Sequence, residues 1–308
     1  MTVPAYTPEF VERGYNNRAA VPDHAGWFVR YAELSAAARD ALQPVRDLRY
    51  GPGPQETLDL FLPATPSRGT LVFIHGGYWR ALDKADFLFV ATPFVQAGYA
   101  VAVINYDLCP AVSIATIVEE CRRAIGWIVR EGARHGANAS RIVVSGHSAG
   151  GHLAAMLLAT PASAWGLARH PVAGAVSLSG VHDLRPLVLF SFNVDFRLDD
   201  AEAARQSPML LRPATDAPIV VAVGADETSE FVRQAQLLWD AWPANRPPGA
   251  SGPMRIPQRN HFSLITDYAE AQSAVTQATL ALFCQAGLDS TRGPSNGLAQ
   301  LPFGCQVA

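Results

Sequence analysis

The chain has 308 residues, of which 49% are hydrophobic and 17% charged, and its formal net charge is −3. This composition is typical of a globular protein with a sizeable buried core, and the length suits one large domain or two small ones. The near-neutral charge, without a cluster of lysine and arginine, excludes the electrostatic footprint of a protein that binds nucleic acid or an anionic membrane. We therefore expect a small-molecule substrate and neither of those partners.

The sequence also bears on compartment and redox state. No stretch approaches the run of about 20 apolar residues that a membrane-spanning helix needs, and residues 1–13 lack the apolar core of a signal peptide. We therefore expect a cytoplasmic protein. The four cysteines are widely separated and form no Cys-x-x-Cys pair, which favours reduced thiols over a disulfide framework or a metal site. The sequence leaves the oligomeric state open, a homodimer included.

The first 43 residues are predicted to form an N-terminal arm that packs on the body of the protein. Residues 27–42 have the spacing of an amphipathic helix. Before that helix, Tyr15, Asn16, Asn17 and Arg18 follow one another in the chain. Such polar side chains suit two roles, the docking of the arm or the lining of a pocket, and docking is the commoner one.

From residue 44 onward, short apolar runs alternate with longer helical patterns. Two runs on either side of a Gly-Pro-Gly-Pro turn at residues 51–54 predict a hairpin at a sheet edge. The later alternation predicts right-handed βαβ units and a mainly parallel sheet flanked by helices, which is the α/β class. The predicted strands are 45–50, 57–62, 69–74, 100–106, 142–144, 174–179, 218–223 and 254–256, and the predicted helices are 84–97, 114–135, 153–159, 230–242 and 268–285.

The alternation lapses over residues 184–215, where three phenylalanines stand among polar residues. We expect this insertion to form a small cap over a pocket. Residues 287–308 are rich in glycine, serine, proline and glutamine and are predicted to be a loosely ordered tail. Because we find no internal repeat and no dividing linker, residues 44–286 are predicted to be one domain that carries the cap.

The most informative stretch is residues 141–152, which read RIVVSGHSAGGH. A β-branched run leads into the turn, Ser148 lies at its apex, and a helical pattern follows. Gly146 and Gly150, two residues before and after the serine, would let the strand and the helix approach closely around a strained turn. The pattern predicts that Ser148 is a nucleophile at the end of the sheet.

A serine hydroxyl is a weak nucleophile at neutral pH, so Ser148 needs a base. His261 follows a predicted strand, and an imidazole titrates near neutrality, which suits it to proton transfer. Asp226 and Glu227 follow the predicted strand 218–223, and either carboxylate could orient the imidazole. The order serine, acid, histidine along the chain is the one expected of an α/β-hydrolase.

Attack on a carbonyl places negative charge on its oxygen, and fixed N–H donors stabilise that charge. The sequence His75-Gly76-Gly77-Tyr78 follows the third predicted strand, where an α/β-hydrolase carries such donors. We nominate the backbone amides of Gly77, Tyr78 and Ala149 as the oxyanion hole. The side chain of His75 is expected to brace this loop by hydrogen bonding rather than to transfer protons.

Several of these segments together resemble the arylformamidase (kynurenine formamidase) branch of the α/β-hydrolases, near the hormone-sensitive-lipase-like esterases. The resemblance implies an α/β-hydrolase fold, with Ser148 as the nucleophile and His261 as the base. It places the acid three residues before a Glu-Phe pair, which is Glu227; aspartate is usual there, and Asp226 remains the alternative. The segments that carry the resemblance are 15–18, 75–79, 146–152, 179–184, 227–231 and 260–262.

The pocket is expected to be aromatic. We expect Trp79, His147 and Phe192 to line it, although burial in an ordinary core would account for these aromatic residues as well. His147 and His152 flank the nucleophile, but no third ligand lies at a suitable spacing, so we expect neither a metal ion nor another cofactor. Asp183, which follows a predicted strand, could also line the site, but turn formation is the commoner role of such a residue.

These features predict a cofactor-independent serine hydrolase that cleaves a small amide or ester through an acyl-enzyme. The resemblance implies an aryl formamide such as N-formyl-kynurenine. A general carboxylesterase for short-chain or aryl esters is a close alternative, because the triad fixes the reaction type and the pocket walls fix the substrate. A non-catalytic binding module is a third hypothesis, which the presence of serine, acid, histidine and the Gly-Gly loop disfavours.

Overall fold

A computed structural model describes residues 6–284 and contains one eight-stranded sheet. Its strands are β1 (Val45–Arg49), β2 (Thr57–Phe61), β3 (Thr70–Ile74), β4 (Ala100–Ile104), β5 (Ile142–His147), β6 (Val172–Leu178), β7 (Ile219–Gly224) and β8 (Met254–Ile256). Their order across the sheet is β1-β2-β4-β3-β5-β6-β7-β8. The β1–β2 and β2–β4 pairs are antiparallel, and the remaining pairs are parallel. The predicted α/β class and the edge hairpin are confirmed.

The central strands are apolar on both faces because helices cover the sheet on both sides. Strands β3, β4 and β5 are buried along their whole length. Successive side chains point to opposite faces of a strand. In β3, Val72 and Ile74 accordingly join one hydrophobic core, whereas Leu71 and Phe73 join the other. The continuous apolar runs that predicted these strands therefore reflect burial on two faces.

The helices divide between those two cores. Helices α5 (Ile114–Glu131), α6 (Ala149–Ala159) and α9 (Ser229–Ala241) contribute to one core, and α3 (His24–Leu42) and α10 (Ala274–Cys284) contribute to the other. The apolar stripe that predicted α5 is buried, and its N-cap Ser113 accepts a hydrogen bond from the amide of Thr116. The helices are α1 (Pro8–Tyr15), α2 (Asn17–Ala20), α3 (His24–Leu42), α4 (Thr92–Gln96), α5 (Ile114–Glu131), α6 (Ala149–Ala159), α7 (Asn193–Phe196), α8 (Asp200–Arg205), α9 (Ser229–Ala241) and α10 (Ala274–Cys284).

Two predicted helices are broken in the structure. Residues 84–97 form a 3₁₀ helix, Lys84–Ala91, followed by the short α4. Phe87 lies outside helical geometry at φ −125°, and its buried ring packs 5.5 Å from the ring of Tyr31. Residues 268–285 likewise begin in a 3₁₀ helix, Leu264–Ala269, and α10 starts only after Ser273, whose hydroxyl accepts from the amide of Thr276. Tertiary packing and side-chain capping thus override the local helical pattern.

The N-terminal arm is bonded to the body at several points. The hydroxyl of Tyr15 donates to Glu230 at 2.9 Å, and that of Thr228 donates to the carbonyl of Gly14 at 2.6 Å. Helix α3 begins three residues before the predicted start, and Tyr31 within it donates to the carbonyl of Phe262 at 2.5 Å. The arm therefore reaches the loop that carries His261.

Residues 184–215 form short helices, namely α7, α8 and two 3₁₀ turns. Phe190 and Phe196 are buried and Phe192 is half-buried. That this segment acts as a cap stays a prediction. The predicted C-terminal tail lies outside the described residues. Across residues 6–284, no helix combines the length and the apolar character that crossing a bilayer requires.

Candidate active site

Ser148 stands on a strained turn between β5 and α6. Its φ is 57° and its ψ is −118°, a backbone conformation that a residue with a side chain seldom adopts. A Cβ on Gly146 would lie 2.1 Å from the oxygen of Gly150, and one on Gly150 would lie 2.0 Å from the oxygen of Ile74. The strand and helix can therefore close around Ser148 only because both positions are glycine.

Glu227, and not its neighbour Asp226, contacts the histidine. The Nδ1 of His261 lies 2.7 Å from the Oε2 of Glu227, and both side chains are almost wholly buried. Asp226 is exposed, and its backbone amide donates to the carbonyl of Arg259. The structure thus places Glu227 in the position predicted for the triad acid and does not bring Asp226 into the site.

The carboxylate of Glu227 is held in place by donors at the ends of two strands, β6 and its own strand β7. Its Oε1 accepts the hydroxyl of Ser179, which follows β6, and the amide of Gly224, at the end of β7, at 2.8 Å. A Cβ on Gly224 would lie 2.1 Å from the oxygen of Arg259, so this turn also needs glycine. This role of Ser179 is not among those predicted from the sequence. Its position directly after β6, beside the turn that carries the acid, was the available signal.

Ser148 and His261 line one cavity. Within residues 6–284, the acid–histidine hydrogen bond is formed, whereas no hydrogen bond joins the Ser148 hydroxyl to the imidazole. Catalytic hydrogen bonds are often long without substrate and shorten in the complex. The ring of Phe231 packs 4.5 Å from that of His261 and limits its tilt.

Two of the three predicted oxyanion donors, Gly77 and Tyr78, border the same cavity, and the third, Ala149, directly follows Ser148. Gly77 has a φ of 107°, and Tyr78 follows with a φ of 51°. Among the described residues, the amides of Gly77 and Tyr78 donate to no protein acceptor, although the carbonyl of Gly77 accepts from Arg80 and Ala81. Ala149 is the first residue of α6, where amides have no acceptor within the helix. All three amides are therefore available to an oxyanion.

His75 braces the oxyanion loop, in agreement with the expected role. Its Nδ1 lies 2.7 Å from the oxygen of Gly76, and its Nε2 lies 2.9 Å from the side-chain oxygen of Asn105. The ring stacks on Tyr106 at 4.2 Å, and the hydroxyl of Tyr106 donates to the carbonyl of His75. Burial lowers the pKa of His75. These contacts hold the loop and leave the imidazole remote from proton transfer.

The cavity comprises about 600 Å³ of space, part of it open to solvent. His147 and Phe192 line it, as predicted, and the arm contributes Asn16, Asn17 and Arg18. Five further aromatic residues line it, of which the first two also belong to the arm: Phe28, Tyr31, Tyr78, Phe87 and Phe262. The arm therefore both docks on the body and lines the pocket.

The structure contradicts the prediction that Trp79 lines the pocket. Its side chain is fully buried, packs against His152 at 5.1 Å and Phe196 at 5.5 Å, and is not part of the described cavity wall. The physical reason is local: Tyr78 and Trp79 both have positive φ, at 51° and 54°, and this turn sends Trp79 into the core.

The other histidines near Ser148 are buried packing residues. The Nε2 of His147 lies 2.9 Å from the carbonyl of His261, and burial, followed by the nearby imidazole, holds the pKa of His147 well below its usual value. A neutral His147 can donate to that carbonyl and so fix the histidine loop. His152 contacts the carbonyl of Gln206 at 2.8 Å, and burial lowers its pKa to about 4. The structure groups no three metal-ligating side chains within residues 6–284.

Asp183 does not reach the cavity. It is buried and forms an ion pair with Arg185 at 2.8 Å, and it also accepts the backbone amide of that residue. The amides of His182 and Asp183 both donate to the side chain of Gln234. These contacts are those of a turn-forming residue.

The sheet order, the strained serine turn after β5 and the histidine loop after β8 define an α/β-hydrolase, and the protein is a hydrolase. Comparison with known proteins gives the branch. The BD-FAE family matches residues 58–170. A kynurenine formamidase from Salmo salar is 30% identical over 256 residues, which cover 80% of this chain and 85% of the relative. The chain belongs to the kynurenine formamidase family.

Two further similarities agree with that placement. A kynurenine formamidase from Drosophila melanogaster is 33% identical over 207 residues, which cover 64% of this chain and 68% of the relative. A crystal structure of a candidate thioesterase from Silicibacter sp. superimposes with a TM-score of 0.78 at 32% identity, covering 88% of this chain and 98% of that one. The resemblance found in the sequence motifs is thereby confirmed.

Proposed function

We propose that the protein is a cofactor-independent serine hydrolase that cleaves an aryl formamide such as N-formyl-kynurenine through an acyl-enzyme. The observation that carries the proposal is the bond between His261 Nδ1 and Glu227 Oε2 beside a cavity that also contains Ser148. A carboxylate at Nδ1 keeps a proton on that nitrogen, so Nε2 is free to accept the serine proton.

The reaction then proceeds in two halves. The Oγ of Ser148 attacks the carbonyl carbon while His261 accepts the hydroxyl proton, and the carbonyl electrons move onto oxygen, where the loop amides bind the charge. The C–N bond breaks as His261 returns the proton to the departing amine. Water next attacks the formyl ester of Ser148, again giving its proton to His261. The ester bond breaks, formate leaves, and the serine regains its proton.

The formamide substrate is supported by the family and by the pocket. The relatives from Salmo salar and Drosophila melanogaster are named kynurenine formamidase. Six of the 16 residues that line the cavity are phenylalanine or tyrosine, which suits a flat aryl group.

A general carboxylesterase is the second candidate. The oxyanion amides and the triad act equally on an ester carbonyl, and the similar Silicibacter structure is described as a candidate thioesterase. Reaction type follows from the triad, whereas the choice between amide and ester follows from the pocket walls.

The test compares kcat/KM of the purified protein for N-formyl-kynurenine and for p-nitrophenyl acetate. A formamidase should prefer the formamide by at least about tenfold, the discrimination that one well-placed contact of ~1.4 kcal/mol provides. A preference for the acetate would favour the carboxylesterase. Turnover of neither substrate, together with no covalent labelling of Ser148, would overturn the hydrolase mechanism and leave a binding module.

A further inference from the structure

Most polar side chains around the cavity already have partners within the protein. Tyr31 and Tyr78 each donate their hydroxyl to a backbone carbonyl at 2.5 Å. Arg80 forms an ion pair with Asp195, and its guanidinium lies 4.4 Å from the ring centroid of Phe192. These groups are therefore occupied, and the positive charge of Arg80 is compensated.

Asn17, on the N-terminal arm, is different. The side-chain amide of the preceding residue, Asn16, has partners for both its oxygen and its nitrogen, because it accepts from the amide of Ala19 and donates to Glu12 at 2.7 Å. Asn17 lines the same cavity and is only 5% exposed, yet its Nδ2 is buried without an acceptor among the described residues. A buried donor without an acceptor is costly and uncommon, so this amide marks a place where a ligand can supply the acceptor.

Arg18 adds a positive charge beside that donor. It borders the cavity, and its guanidinium lies 5.6 Å from the ring centroid of Phe28, which orients it at the rim. Within residues 6–284 it forms no ion pair, and no aspartate or glutamate is among the described residues of the cavity wall. The charge of Arg18 is therefore uncompensated, in contrast to that of Arg80.

We propose that Asn17 and Arg18 form a subsite for a carboxylate on the substrate, separate from the bond that is cleaved. An acceptor-only anion matches both groups, since the amide offers N–H donors and the guanidinium offers a fork of donors with a full charge. The subsite rests on the proposed function and assigns Asn17 and Arg18 as specificity-determining residues within it.

The experiment uses two aryl formamides that differ only at the remote group, N-formyl-kynurenine and its analogue with a carboxamide in place of the carboxylate. The ratio of their kcat/KM values is measured for the wild type, Arg18→Gln and Arg18→Glu. Loss of a charged hydrogen bond should lower the carboxylate-to-carboxamide ratio about 10- to 100-fold in Arg18→Gln. Arg18→Glu, which places a like charge there, should lower it further. A purely structural role for Arg18 would affect both substrates equally.

Arg13→Gln is the matched control. Arg13 is also an exposed arginine of the arm stacked on a phenylalanine, at 5.9 Å from Phe10, but it does not border the cavity. The carboxylate-to-carboxamide ratio of kcat/KM for Arg13→Gln should equal that of the wild type. Asn17→Asp tests the second group, because an aspartate there would repel a carboxylate and should lower the same ratio.

Calorimetric binding of both compounds to Ser148→Ala separates the two proposals, because it needs no turnover. Tighter binding of the carboxylate, lost when Arg18→Gln is added, supports the subsite whether or not the wild type cleaves the formamide. Turnover that depends on Ser148 with a ratio unchanged by Arg18→Gln would overturn the subsite and leave the proposed function standing. Equal binding of both compounds to Ser148→Ala would also overturn the subsite.

Discussion

Glu227→Gln is the substitution that probes the site most sharply. In the protein, Oε1 of Glu227 accepts from Ser179 and Gly224, and Oε2 accepts from Nδ1 of His261. Glutamine has a single acceptor oxygen, and the two donors at the Oε1 position will hold it there. Its NH₂ group then faces Nδ1, which must become the acceptor, and the imidazole proton moves to Nε2. That tautomer cannot take a proton from Ser148.

The expected loss is about 10⁴-fold in kcat/KM, the size seen when the acid of a serine protease triad becomes an amide, and this equals roughly 5.5 kcal/mol of transition-state stabilisation. The assay is initial-rate hydrolysis of p-nitrophenyl acetate, with Ser148→Ala as the background. Asp226→Asn is the matched control, because Asp226 is exposed, and its rate should stay within about twofold of wild type. A larger loss in Asp226→Asn than in Glu227→Gln would refute the assignment.

Three further predictions follow from the same structure. Gly150→Ala should destabilise the protein by about 3 kcal/mol, or roughly 6–12 °C in Tm, because its Cβ would lie 2.0 Å from a β3 carbonyl. The control is Gly26→Ala, which lies in α3 with open space around it and should leave Tm unchanged or raise it slightly. Equal Tm values for Gly150→Ala and Gly26→Ala would contradict this prediction. Ser179→Ala removes a donor to the triad acid and should lower kcat/KM about tenfold with little change in Tm; an unchanged rate would exclude the positioning role. Burial lowers the pKa of His152 to about 4 and that of His182 to about 3. As pH falls, the unfolded chain therefore protonates these two histidines before the folded protein does. The free energy of unfolding in urea should therefore fall as pH drops from about 6.5 toward 4; these two histidines alone contribute up to about 2.7 kcal/mol per pH unit, and a flat profile would contradict this.

The central strands were predictable because their sequences are mainly apolar runs. Strands β3 to β7 are buried on both faces, so their sequences carry a strong signal independent of the rest of the chain. The helical patterns at 84–97 and 268–285 were less reliable. There the backbone follows the burial of Phe87 and the cap at Ser273, which depend on residues distant in the chain.

The residues of the candidate site were also predictable only in part. Ser148, His261 and the Gly-Gly loop were recognisable because a strained turn and a backbone donor site require particular residues at fixed spacing. The choice between Asp226 and Glu227 was not, because one residue of a turn separates a solvent-facing carboxylate from a buried one. Trp79 was misplaced for a similar reason, since sequence does not reveal two successive positive φ values.

The contribution of the arm to the cavity could not be predicted from its sequence alone. Asn17 and Arg18 enter the cavity because α3 and its neighbours dock against the histidine loop through Tyr31. Docking contacts of this kind join residues more than 200 positions apart, as in the bond between Tyr15 and Glu230. Local patterns carry no information on such pairs.

The most direct test of the account is the intact mass of the protein after treatment with a fluorophosphonate, which reacts covalently with an activated serine. We predict one adduct on the wild type, located at Ser148 by peptide mapping, and none on Ser148→Ala. Labelling should be strongly slowed in His261→Ala, which lacks the base. Equal labelling of Ser148→Ala, or a wild-type adduct at any other serine, would contradict the assignment of Ser148 as the nucleophile.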